Sequence, residues 1–335
     1  MKNRLRLWLS LGCLASVLLA GCGGEGPVKT QIEEARKVVF LSARGERPFE
    51  TGQRNLLARL TANDARYQVQ ILDAGFSAET QRRQFQEAMA QAPYAIVLDA
   101  LETAGLESDV RGAVAKGVQV IGLGESSVPL GCSSVLVADQ KKLGQLAGEL
   151  VVKALKAKAA DAGQGEAVGR VIEIRGDDES LISQQRHEGF EAALKAAPGV
   201  ILVHDAPGEW SLAGGRDRAA DALRLQQSFD IVYAHNDLMA LGAAVTLKDR
   251  REDVMIIGTD GFRGREGGMT LVGDGEIDAT VYQPLLVDFA WVLLKKTAET
   301  PGFQPKTRYE MPLRTILPKD VDDIRRNGLP KYPEF

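Results

Sequence analysis

Tyr233-Ala-His-Asn-Asp-Leu-Met-Ala-Leu-Gly-Ala243 is the stretch that decides how the chain is read. An apolar run with strand character, residues 230–234, stops at the polar triplet His235, Asn236 and Asp237. A pattern of small and apolar residues at helical spacing follows at once. This is a strand feeding directly into a helix. At the carboxyl end of a parallel strand, Asn236 either caps that helix or faces the open crevice above the sheet.

Working outward, the same unit recurs. Short apolar runs at 38–41, 67–72, 95–98 and 118–123 alternate with helical patterns at 49–61, 78–90 and 107–115. A second set has runs at 170–174, 200–203, 231–233 and 254–257, with helical patterns at 180–196, 212–226 and 237–247. Short buried strands separated by helices of ten or more residues are the signature of βαβ units, with a parallel sheet covered on both faces. The expected class is therefore α/β, with two Rossmann-like lobes. Residues 156–169, rich in Ala, Gly and Lys, read as a surface loop of the second lobe. The turn at 273–275 precedes a strand at 276–281, and the apolar helix at 285–297 needs a sheet to cover.

The amino terminus is of another kind. Lys2, Arg4 and Arg6 form a basic start, and residues 7–20 are an apolar run too short to span a bilayer but suited to a signal peptide. The run ends in Leu19-Ala-Gly-Cys22, which resembles the bacterial lipobox. The resemblance implies cleavage before Cys22, acylation of that cysteine, and a mature protein held at a membrane by lipid alone. Residues 1–22 are thus read as signal and 23–37 as a tether.

Several chemistries are excluded. With Cys13 in the signal and Cys22 acylated, only Cys132 remains, so no internal disulfide forms. The three histidines are scattered, and neither a metal site nor a cofactor is expected. The net charge of −4 becomes more negative once the basic start is removed, which argues against nucleic acid. No nucleophile elbow, phosphate loop or dinucleotide fingerprint is present, so the chain is not read as an enzyme.

Polar and aromatic residues recur where ligands of open α/β sheets bind, at the carboxyl ends of strands: Arg47, Phe49, Asp99, Glu125, Trp210, Asn236 and Asp260. In order and spacing, Asn236-Asp-Leu-Met-Ala-Leu-Gly242, Gly258-Thr-Asp-Gly261, Arg186-His-Glu-Gly-Phe190 and Arg47-Pro-Phe-Glu50 resemble the ribose/galactose-type family of bacterial periplasmic binding proteins. These are sugar-binding relatives of the lactose-repressor effector domain. The resemblance covers about residues 38–318. It implies a type I periplasmic binding protein, with lobes at 38–138 plus 285–311 and at 139–284 plus 312–335. A three-segment hinge near 137–140, 283–284 and 312–313 would join them.

It further implies hydrogen bonds to ligand hydroxyls from Arg186, Asn236, Asp260 and Gln283, stacking of a sugar ring on Phe49 and Trp210, and a polar contact from Asp99. The first lobe departs from the family pattern. Gly124-Glu125 replaces an Asp-Arg pair, and Arg47 and Glu50 replace an Asn and an aromatic residue. Either Arg47 substitutes for the lost guanidinium, or the ligand is an unusual sugar, an amino sugar, a polyol or a sugar acid. The implied protein is a monomer on the extracytoplasmic face that delivers its ligand to an ABC permease. The alternative is presentation of the closed form to a membrane receptor kinase.

Overall fold

The structure is a computed structural model, and it describes residues 34–45, 47–101, 105–225, 228–329 and 332–335. The signal, the lipobox and Cys22, and most of the tether lie outside the described residues. No helix among the described residues is long and apolar enough to cross a membrane.

The first half alternates β1 (Arg36–Ser42), α1 (Pro48–Thr61), β2 (Tyr67–Asp73), α2 (Ala78–Ala90), β3 (Ala95–Asp99), α3 (Glu107–Ala115), β4 (Gln119–Leu123) and β5 (Ser134–Val137). The second half runs α4 (Gln140–Asp161), β6 (Gly169–Arg175), α5 (Leu181–Lys195), β7 (Val200–Pro207), α6 (Leu212–Leu225), β8 (Ile231–Ala234), α7 (Asp237–Thr246), β9 (Met255–Asp260), α8 (Gly268–Gly273) and β10 (Ala279–Tyr282). The chain closes with α9 (Leu286–Glu299), β11 (Arg308–Glu310), β12 (Arg314–Ile316) and α10 (Pro318–Asn327).

These elements make two six-stranded sheets of matching order, β2-β1-β3-β4-β5-β11 and β7-β6-β8-β9-β10-β12. Every pairing in the first sheet is parallel, and in the second only β10–β12 is antiparallel. Sequence pattern follows position. Central β1 is buried along Val38 to Ser42, whereas edge strand β2 alternates buried and exposed residues. Helices on both faces complete separate cores, one centred on Phe40, Trp291 and Phe289, another on Ile172, Val232 and Ile256.

The chain passes between the sheets three times: from β5 to α4, from β10 to α9, and from β11 to β12. Gln140 at the first crossing and Gln283 at the second meet through a 3.1 Å hydrogen bond.

Four sequence expectations need correction. Residues 156–161 are the end of α4, not loop, because an Ala/Lys run is a strong helix former; Gly163 at φ 73° ends it. The strand expected from residue 276 begins only at Ala279. The tether expected to reach residue 37 is overlapped by β1, which starts at Arg36 and pairs there with Tyr67. Strand β5 and most of α4 were not foreseen.

Candidate functional site

The carboxyl ends of the strands in both sheets face one interlobe space. Its larger cavity is about 290 Å³ and is lined by Phe49, Glu50, Asp99, Glu125, Arg186 and Gln283, with Arg44, Gln140, Ser180 and Gln185 among the others. An adjoining hollow of about 40 Å³ shares Phe49, Glu50 and Arg186 and adds Arg47, Trp210, Asn236 and Asp260. All ten residues singled out in the sequence therefore border one or other of these two adjoining hollows. A wider hollow of about 450 Å³ lies near the amino ends of β8 and β9, is built from the second lobe alone, and holds none of them.

The second-lobe half is tightly organised. Ser180 caps α5, which sets Arg186 two turns in and pointing to the interlobe space. Buried Arg186 donates to Gln140 Oε1 at 2.9 Å and to the His235 carbonyl, and lies 3.5 Å from Asp260 Oδ1. Gln283 Nε2 donates to the same Asp260 oxygen at 2.8 Å, and Gln140 Nε2 donates to Gln283 Oε1 at 3.1 Å. The four side chains close a ring that ties the site to two of the three crossings.

Burial pushes the Asp260 carboxyl up to about 6, against the pull of Arg186 and Gln283. Asp260 also sits at φ 107°, a conformation a non-glycine residue adopts only when its surroundings impose it. Removing one partner from such a buried pair leaves the other charge uncompensated, at a cost of about 3–5 kcal/mol.

Asn236 proves to be the cap of α7. Its Oδ1 accepts from Met239 N at 2.8 Å, and its Nδ2 donates to the Trp210 carbonyl at 3.0 Å. The side chain thus fixes Trp210's backbone as well as starting the helix, while bordering the smaller hollow.

Trp210 is buried, and its ring centroid lies 5.5 Å from both the Arg47 and the Arg186 guanidinium carbons. Its Nε1 donates to Asp177 Oδ2 at 2.8 Å. Gly176 makes this seat possible, since a Cβ there would lie 2.0 Å from the indole. Phe49 packs instead against Phe262 of the second lobe, with centroids 5.6 Å apart.

Behind the indole, Glu173 accepts from His235 Nε2 at 2.8 Å and contacts His187 Nδ1 at 2.7 Å, while Gly176 N donates to His235 Nδ1 at 3.2 Å. These partners require neutral His235 with its proton on Nε2, in keeping with the downward push of burial. Burial opposes ionisation of Glu173, but bonds from the two histidines outweigh it and hold its carboxyl below the usual range.

The first-lobe half differs from expectation in one respect. Arg47 is engaged by Asp177 Oδ2 at 2.6 Å across the cleft, so its charge is spent on a protein partner. The Asp177 carboxyl is held low because the Trp210 N–H and Arg47 outweigh its burial. The first-lobe guanidinium lining the larger cavity is Arg44, which follows β1 and lies 4.1 Å over the Phe76 ring. Burial lowers its pKa.

Glu125 lines the cavity at the start of a 3-10 turn but is paired with Arg308 at 2.9 Å. Glu50 has a buried Oε2 without a hydrogen-bond partner among the described residues, and burial raises its pKa. Asp99 is pushed up to about 7, first by burial and then by Glu50.

Arg44, Gln140 and Asp177 were missed in the sequence. Arg44 carried a signal, since it occupies the turn after the first strand. Gln140 fell within the expected hinge segment at 137–140 and Asp177 just beyond the run at 170–174, but neither was read as a site residue.

A family model described as a periplasmic binding protein domain matches residues 38–286, more than half of the chain. Among curated relatives, the ribose import binding protein of Bacillus subtilis (strain 168) is 24% identical over 213 residues, which span 64% of this chain and 65% of that protein. The D-apiose import binding protein of Paraburkholderia graminis is 24% identical over 279 residues, 83% of each chain. Among solved structures, an ABC transporter solute-binding protein from Bacillus halodurans C-125 with bound myo-inositol superposes with a TM-score of 0.74 at 18% identity, covering 89% of this chain and 99% of that one. That likeness shows a shared fold.

Proposed function

The chain belongs to the periplasmic binding protein domain family, and we propose that it captures a sugar or sugar-like polyol between its lobes and delivers it to an ABC importer. In this reading, acylated Cys22 holds the mature protein at the extracytoplasmic face of a membrane. The observation that carries it is the pair of adjoining interlobe hollows bordered by Phe49, Glu50, Asp99, Arg186, Asp260 and Gln283. At about 290 Å³ the main cavity lies near the lower end of the ~300–1,000 Å³ span of small-molecule sites.

Fixed carboxylates and amides beside Phe49 in a cavity of mixed polar and apolar lining suit a ligand with many hydroxyls on a carbon ring. Hydrogen bonds involving a charged group contribute about 1.5–3 kcal/mol each, and Phe49 offers a face for the C–H side of the ring. Import binding proteins for ribose and D-apiose among the relatives favour the same ligand class. Closure about the three crossings would remove water from the cleft and complete contacts from both lobes. The closed form is the species an importer would receive.

Mass spectrometry of small molecules released by denaturing the purified protein tests the reading, together with thermal-shift measurements against a monosaccharide and polyol panel. A stoichiometric polyhydroxylated compound, or stabilisation by a panel member, is expected. Absence of both contradicts it.

A further inference from the structure

The second-lobe ring of the cleft is internally satisfied: Arg186, Asp260, Gln283, Gln140 and Asn236 all bond one another or backbone groups. The first-lobe side is not. Among the described residues, Glu50 Oε2 is buried with no hydrogen-bond partner, and the Asp99 carboxylate accepts one long bond, from Ala43 N at 3.4 Å. From the facing α5, Gln185 brings a further buried carboxamide oxygen without a partner, and it borders the same cavity. A buried acceptor left unmade costs more than the bond is worth when made, so these atoms mark where a ligand's donors belong.

The charges around the cavity have a definite balance. Arg47 is taken by Asp177, Arg186 by Asp260, and Glu125 by Arg308. What remains uncommitted is the Arg44 guanidinium against the carboxylates of Glu50, Asp99 and, at the exposed rim, Glu179. Arg44 stacks on Phe76 and makes no side-chain hydrogen bond among the described residues, so it offsets charge through space without filling the vacant acceptors. In the open half of the cleft, unpaired carboxyl groups outnumber the one unpaired guanidinium among the described residues, and a cation beside them would favour their ionised forms.

We propose that the ligand carries a protonated amine, as an amino sugar or amino-polyol, with its ammonium facing Glu50 and Asp99. An ammonium brings three donors and a positive charge, where a hydroxyl brings one donor and no charge. This rests on the sugar-capture reading above and narrows it.

The test is calorimetry of the full-length protein with glucose, galactose, ribose and myo-inositol, each beside its amino-substituted and N-acetylated counterparts. At least one amine should bind about tenfold or more tightly than its hydroxyl parent, and N-acetylation should abolish the gain. In Glu50→Gln and Asp99→Asn the amine-to-hydroxyl affinity ratio should fall toward one, with circular dichroism reporting that each variant is folded. Neutral members binding as tightly as the amines would overturn the ammonium site while leaving sugar capture standing. Failure of every member to bind would overturn both.

Discussion

Asp99 and Asp260 show how burial, not sequence type, sets the character of a carboxylate. Asp99 is pushed up to about 7, against about 3.9 for an unfolded aspartate. Its contribution to stability is therefore fully present below about pH 4 and is lost as pH rises through 7. Asp99→Asn cannot ionise. Its stability relative to the native protein should grow between pH 4 and pH 8, by up to about 4 kcal/mol, read from urea midpoints across that range. Parallel curves for the two proteins would show that ionised Asp99 costs nothing in the fold.

The sequence revealed these positions because they end strands. It could not show that Arg47 is consumed by Asp177, some 130 residues away, or that Arg44 takes its place. Nor could it decide between the two roles of Asn236, since capping and bordering the cleft use the same residue type at the same junction.

At the level of elements, the strands and helices carrying the site were readable wherever a buried apolar run met a clear turn. The ends of α2 and α3 fall where the periodicity stops. Strand β5 was not readable, because a 3-10 turn and not a helix separates it from β4, so it breaks the strand–helix alternation. Most of α4 escaped because its buried stripe is diluted by Gly144, Ala147 and Gly148. That dilution has a reason: α4 and α5 touch backbone to backbone. A Cβ on Gly189 would lie 1.9 Å from the Lys141 carbonyl, and one on Gly144 would lie 1.9 Å from the carbonyl of Arg186.

Gly189→Ala must push the helices apart. It should destabilise the protein by about 1–3 kcal/mol and weaken ligand binding through Arg186, one turn earlier on α5. Gly112→Ala, on α3 with open space around its Cβ, should be neutral or stabilising by up to about 1 kcal/mol. Chemical unfolding and calorimetry on the pair separate helix spacing from glycine content. Equal effects in the two variants would dismiss the spacing argument.

For the whole molecule, the two successive α/β sets were legible in the alternation of runs and helices, whereas the strand order within each sheet was not. Nor were the contacts between lobes. Arg47–Asp177 at 2.6 Å and Phe49 against Phe262 span the cleft, and the Arg186–Gln140–Gln283–Asp260 ring joins the site to two crossings. Under the proposed capture of a ligand between the lobes, its contacts and lobe closure would be coupled through these same side chains.

The most direct test is small-angle scattering on protein stripped of small molecules by denaturation and refolding, before and after saturation with the tightest-binding member of the calorimetry panel. Capture between the lobes predicts a smaller radius of gyration in the saturated sample. A radius unchanged at full occupancy would contradict it.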